Sequence, residues 1–188
     1  MSINAKEVIL TEAKRIAQAH GYNGMNFREL AERVGIKPAS IYHHFASKAD
    51  LGAAVAKRYW EDAAAHLDAI RDEEGDARAA LRRYPEIFRK SLESENRLCL
   101  GSFMAAEHDD LPEPVRKEIQ TFGEVNVAWL AEMLASAGAA ASAQEAEIRA
   151  RALFASVAGA QLMARSRSDI TVFDALMDAY RTTGLLPS

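Results

Sequence analysis

Apolar positions along the chain recur at the spacing of a helix face, and no strict alternation runs long enough to read as a strand. Ile9, Ala13, Ile16 and Ala17 form one stripe and predict a helix over 4–20. Asn4 and Glu7 stand three apart as a capping box, Ile3 and Val8 can make its hydrophobic staple, and Gly21 closes the helix. A second helix is predicted at 27–34, with Asn26 and Glu29 as the box, Met25 and Leu30 as the staple, and Gly35 as the stop. Pro38 suits the first position of a short third helix, 38–44, because proline's missing N–H is unused there. Ser47 and Asp50 open a long fourth helix over 48–70. Further helices are predicted at 76–95, 99–107, 113–137, 143–166 and 170–181, with Pro85 kinking the first of these. The expected fold is all-α, with eight or nine helices. "AGAAASA" at 137–143 reads as a short interhelical turn, and no internal repeat or long linker interrupts the pattern.

Residues 27–45 behave as one unit. Leu30, Val34, Ile36, Ile41 and Phe45 take the inward positions, and the small Ala31 lets the neighbouring helix come close. Gly35 supplies the turn between the helices. This is the pattern of a helix-turn-helix, whose second helix can enter a DNA major groove. Its outer face carries Lys37, Ala39, Ser40, Tyr42, His43 and His44, a set rich in hydrogen-bonding groups and free of acids. Lys48 follows in the first turn of the fourth helix, where a cation opposes the helix dipole unless a phosphate lies nearby.

Charge sharpens this picture. The chain of 188 residues has a formal net charge of −4. Residues 1–60, however, hold nine Lys/Arg against five Asp/Glu, whereas the remainder holds fourteen against twenty-two. A basic N-terminal third on an acidic body suits an end that meets a polyanion. The single cysteine, Cys99, allows no intrachain disulfide and fits a cytoplasmic protein. No apolar run approaches the ~18–20 residues that span a bilayer, and "MSINAKEVIL" lacks the layout of a signal peptide.

The stretch "ILTEAKRIAQAHGYNGMNFRELAERVGIKPASIYHHFASKADL", Ile9 to Leu51, resembles the tetracycline-repressor (TetR) family of bacterial transcriptional regulators. The Ala-His-Gly-Tyr segment, the Leu-Ala-x-x-Val-Gly core and the Ser-Ile-Tyr-x-His-Phe-x-x-Lys-x-x-Leu tail carry the resemblance. "RLCLGSFMAAEHDDLPEPVRKEIQTFGEVNVAWL" also resembles one subgroup's C-terminal pattern, less distinctively. The resemblance implies a homodimer with a DNA-binding domain over 1–47 and a ligand-binding and dimerisation domain over 48–188. It implies a repressor released from a double-stranded DNA operator by a small-molecule effector. Its DNA-contacting positions fall on Arg28, Lys37, Ala39, Ser40, Tyr42, His43, His44 and Lys48. Tyr42 and Lys48 would hold phosphates, and the others are candidates for base edges or, for Ala39, a thymine methyl.

The resemblance also places an effector cavity in the helical body. Tyr84, Phe88, Phe103, Met104, Phe122, Asn126 and Trp129, completed by Trp60, suit an apolar or aromatic molecule; plain core packing is the competing reading. Cys99 carries two readings. Beside Arg97 at a helix start it could be a reactive electrophile or redox sensor, as in some relatives, or it is a small buried apolar residue. The last two helices are expected to form the dimer interface. The small Ala155, Gly159 and Ala160 would permit close approach, and Leu153, Val157, Leu162, Met163, Phe173, Leu176 and Tyr180 would supply apolar surface. A helical-bundle enzyme or carrier is the alternative class, but no nucleophile–base pair, phosphate loop or acidic metal cluster supports it. A helical adaptor that meets protein through its histidine-tyrosine corner is a further alternative. No cofactor is expected. The adjacent His43 and His44 point about 100° apart on a helix and cannot easily share a metal, and His20, His66 and His108 lack ligand spacing.

Overall fold

The computed structural model describes residues 4–187. Among these the chain is all-helical: α1 (Ala5–His20), α2 (Phe27–Val34), α3 (Pro38–His44), α4 (Lys48–Glu74), α5 (Ala77–Arg83), α6 (Glu86–Glu93), α7 (Leu100–Ala106), a 3-10 turn (His108–Asp110), α8 (Glu113–Ser136), α9 (Ala143–Arg167) and α10 (Ile170–Thr182). No helix among the described residues is long and apolar enough to cross a membrane. The helices group into two compact units, Met1–Glu61 with Leu100–Phe122, and Asp62–Cys99 with Gly123–Ser188. The division falls within α4 and α8.

In the first unit, α1 packs on α2 and on α7, and α2 packs on α3. The caps act as their residues dictate. Asn4 accepts from the Lys6 N–H at 3.1 Å, and Asn26 accepts from the Arg28 and Glu29 N–H groups at 2.8 and 3.3 Å. Gly35 adopts a left-handed conformation, φ 75°, ending α2. Ser47 accepts from the Asp50 N–H at 3.1 Å and donates to its carboxylate at 2.8 Å, which starts α4. Ile9, Ala13, Leu30, Ala31, Ile41, Phe45, Leu51 and Val55 form the core, while Val34 and Ile36 stay half-buried. Gly101 is pressed against Phe122: a Cβ there would lie 2.3 Å from the ring's Cδ1. The staple expected between Ile3 and Val8 lies outside the described residues.

In the second unit, α9 packs on α10 and α6, and α6 on α10. The single kinked helix expected over 76–95 is two helices. Tyr84 closes α5 with a tight N–H to the Leu81 carbonyl at 3.3 Å, and Pro85, which has no N–H to give, starts α6. α4 runs four residues past the expected end. Its last apolar position is Ile70, but Arg83 holds the polar final turn through Glu73 and Glu74, each at 2.9 Å. The Ala-rich segment after α8 is a turn, with Gly138 at φ 64° and Ser142 capping α9 through the Glu145 N–H at 3.1 Å.

Candidate nucleic-acid interface

α3 is pinned by Ile41, fully buried, and by Phe45 just beyond it. Its other face is free. Lys37, Ala39, Ser40, Tyr42 and His43 are exposed there, and His44 is half-buried with its ring 5.4 Å from that of His43. Tyr42 is 58% exposed, yet its ring is steadied by Phe27 at 4.8 Å, so the phenol is presented rather than loose. Arg28 also lies exposed; among the described residues its ion pair is a long 3.5 Å contact with Glu32, which leaves the guanidinium accessible. Arg33 differs: Glu29 at 2.8 Å and Glu12 at 3.3 Å engage it within the fold.

Beside α3 an open cleft of about 460 Å³ is lined by Asn23, Met25, Asn26, Phe27, Arg28, Pro38, Tyr42 and Lys48. Two cations, a phenol and the N-terminus of α2 thus meet at one edge of the outward helix, the chemistry of a phosphate seat. Lys48 is half-buried. Its Nζ donates to the Asn23 carbonyl at 3.2 Å and lies 4.7 Å from the Tyr22 ring centroid. Desolvation lowers its pKa from the ordinary lysine value, and the nearby Glu107 carboxylate opposes that shift. In the sequence the cleft residues Asn23 and Asn26 carry no signal for DNA, because a turn or a helix cap accounts for each.

The effector candidates fall in separate units. Trp60, Phe103, Met104 and Phe122 belong to the first; Tyr84, Phe88, Asn126 and Trp129 belong to the second. In the first, the Trp60 indole N–H donates to Glu118 at 2.7 Å, the Phe122 ring lies tilted 5.5 Å from that of Tyr59, Met104 is buried and Phe103 is half-buried. In the second, Tyr84 and Asn126 are fully buried, and the Tyr84 hydroxyl donates to Asn126 Oδ1 at 3.0 Å. Burial, then the proximity of Cys99, raises the Tyr84 pKa well above that of an ordinary phenol. Trp129 stacks on Tyr84 at 5.9 Å, and its buried Nε1–H has no hydrogen-bond partner among the described residues. Cys99 is fully buried, its backbone N–H donates to Gln161 Oε1 at 3.0 Å, and Arg97 pairs with Glu95. Its thiol is therefore closed to solvent.

The interface candidates also divide. Leu153, Val157, Ala160 and Phe173 are at most 1% exposed, so they belong to the chain's own core and leave no surface for a second chain. Leu176 and Tyr180 are half-buried, and the Tyr180 hydroxyl donates to the Ser156 carbonyl at 3.2 Å. Ala155 and Gly159 are exposed, the latter with open space where a Cβ would stand. Leu162 and Met163 are 57% and 49% exposed, and Ile148, which no pattern in the sequence marks as a surface position, is 61% exposed on the same helix.

This arrangement has close counterparts. Residues 9–55 match the family model described as bacterial regulatory proteins, tetR family. A TetR transcriptional regulator from Legionella pneumophila superposes with a TM-score of 0.90 at 31% identity, over 97% of this chain and 99% of that one. The chain belongs to the TetR family of transcriptional regulators. A second TetR-family regulator, from Agrobacterium tumefaciens, has a TM-score of 0.86 and 28% identity over 93% of this chain and 94% of its own. The HTH-type transcriptional repressor AcnR of Corynebacterium efficiens is 37% identical over 68 residues, 36% of this chain. That match spans 35% of the length of AcnR. The family is one of regulators, not enzymes, which removes the enzyme alternative.

Proposed function

We propose that this protein is a cytoplasmic homodimeric repressor that binds a palindromic DNA operator through α3 and leaves it when a small molecule occupies the helical body. The observation that carries the DNA reading is the exposed, acid-free face of α3 beside a cleft that gathers Arg28, Tyr42 and Lys48. In this reading Tyr42 and Lys48 hold phosphates and fix register. Arg28, Lys37, Ser40, His43 and His44 read base edges, and Ala39 meets a thymine methyl. The functional division is at 47/48, with the recognition residues before it and the sensing and pairing surfaces after it. The name of AcnR supports repression as the direction of control.

Pairing is assigned to the exposed stripe of α9, Ile148, Gly159, Leu162 and Met163, where small and apolar positions suit an isologous helix contact. For the effector, the stacked Tyr84 and Trp129 rings favour an aromatic molecule, and the unpartnered Trp129 N–H favours one that carries an acceptor. A reversible ligand is preferred over covalent sensing because the Cys99 thiol is buried. Release requires the effector to bind the DNA-incompetent arrangement more tightly. The proposed lever is α4, a continuous helix of 27 residues with Lys48 in its first turn.

The test is selection of genomic fragments by the purified protein. The expected result is one enriched sequence with two-fold symmetry and half-sites about one helical turn, ~34–36 Å, apart. Enrichment of no sequence, or of one without symmetry, refutes the reading.

A further inference from the structure

Outside the recognition helix and the aromatic body, one carboxylate reaches across the first unit to the corner that carries Lys48. Glu107, just past α7, accepts a hydrogen bond from the Tyr22 backbone N–H at 2.8 Å, 85 residues away in sequence. Tyr22 lies in the turn between α1 and α2, and that turn leaves little freedom. Gly21 has φ 70° and ψ −171°, a region that essentially only glycine occupies. A Cβ on Gly21 would fall 2.2 Å from Glu107 Oε1, so the glycine also makes room for the carboxylate. The same turn seats Lys48: its Nζ bonds the Asn23 carbonyl and rests over the Tyr22 ring. A second strut runs from Asn23 Nδ2 to Asp110 Oδ2 at 3.4 Å, and Asp110 is held in turn by its N–H to the Glu107 carbonyl at 2.9 Å.

We infer that Glu107 is a positioning residue for DNA binding, fixing the α1–α2 turn so that Lys48 is presented to a phosphate. The inference rests on the reading of Lys48 as a phosphate contact. The geometry is a chain of three links: carboxylate to Tyr22 N–H, the turn to its own ring and carbonyl, and ring and carbonyl to the Lys48 ammonium. Glu107 also lies near enough to favour the charged form of a lysine that burial discourages. The carboxylate itself would repel a phosphate, so its contribution to DNA binding passes through the turn and Lys48, not through contact with the backbone.

The experiment compares wild type, Glu107→Ala, Glu107→Gln, Lys48→Ala and the Lys48→Ala/Glu107→Ala double variant on a random-sequence duplex. The dependence of affinity on salt is read by fluorescence anisotropy. Each lost phosphate contact flattens the slope of log K against log[salt] by about one unit per protomer. Glu107→Ala is expected to flatten the slope as Lys48→Ala does, and the double variant to match Lys48→Ala alone, because one acts through the other. Glu107→Gln, which keeps an acceptor for the Tyr22 N–H, is expected to hold the wild-type slope. Should Glu107→Ala not fold, as judged by circular dichroism, Glu107→Met takes its place, keeping the length without the acceptor. An unchanged slope in the Ala or Met variant, a Gln variant as impaired as the Ala variant, or additive losses in the double variant overturns the proposal. If Lys48→Ala itself leaves the slope unchanged, the phosphate reading of Lys48 fails first, and the proposal with it.

Discussion

Replacing Leu162 and Met163 together by serine should separate the protomers without unfolding them. The two side chains are 57% and 49% exposed, so about half of each is already buried within its own chain. Full burial of a Leu or Met side chain contributes about 1.5–3 kcal/mol, so covering the exposed half contributes about 1 kcal/mol each. Two-fold symmetry repeats both residues, for about 4 kcal/mol across the pair. At 1.4 kcal/mol per decade, that is about a thousandfold in the dimer dissociation constant. Sedimentation velocity over a concentration series measures it, with circular dichroism checking that helix content is kept. Serine also gives up the half of each side chain buried within its own chain, so each substitution should cost about 1 kcal/mol of folding stability as well. A double variant that remains as tightly dimeric as wild type would refute the assignment of this α9 stripe to pairing.

Three further perturbations probe the body. Tyr84→Phe removes the buried hydrogen bond to Asn126 with little change of volume and should cost about 1 kcal/mol; urea melts that show no loss of stability contradict the hydrogen-bond assignment. Gly101→Ala drives a Cβ into the Phe122 ring and should destabilise by about 1–3 kcal/mol, and a more stable variant in the same melts would show that the ring moves aside freely. His66 has a pKa below the ordinary histidine value, first through desolvation, then through the Lys90 ammonium 3.2 Å away and Arg83, with Glu86 and Glu73 opposing. The unfolded chain therefore binds the proton at a higher pH than the fold does, and stability falls as pH drops through ~6.5. His66→Gln should lose less melting temperature between pH 7.5 and 5.5 than wild type does, and an equal loss rejects His66 as a source of the pH dependence.

The first three helices were legible because local chemistry fixes their ends: Asn26, Gly35 and Pro38 each act within a few residues of the boundary they set. The end of α4 was not, since its last turn depends on Arg83 nine residues on. Pro85 announced a disturbance, but whether it kinks or divides a helix depends on how Tyr84 and the buried Phe88 pack. α9 misled for another reason. It is Ala-rich and apolar on more than one face, so the sequence could not tell Leu153 and Val157, which fill the core, from Leu162 and Met163, which face outward. Glu107 carried no periodic or motif signal, since its partner is a backbone N–H 85 residues away.

The central claim is that this corner grips DNA by charge and reads it by α3. The direct measurement is the affinity of the wild-type protein for its selected operator and for a shuffled duplex, across a series of potassium chloride concentrations. Lys48 from two protomers neutralises two phosphates, which predicts a log–log slope of about −2, steeper by as much as Arg28 and Lys37 also displace counterions. The operator should bind at least about a thousandfold more tightly than the shuffled duplex at physiological salt. A slope near zero, or equal affinity for both duplexes, contradicts the account.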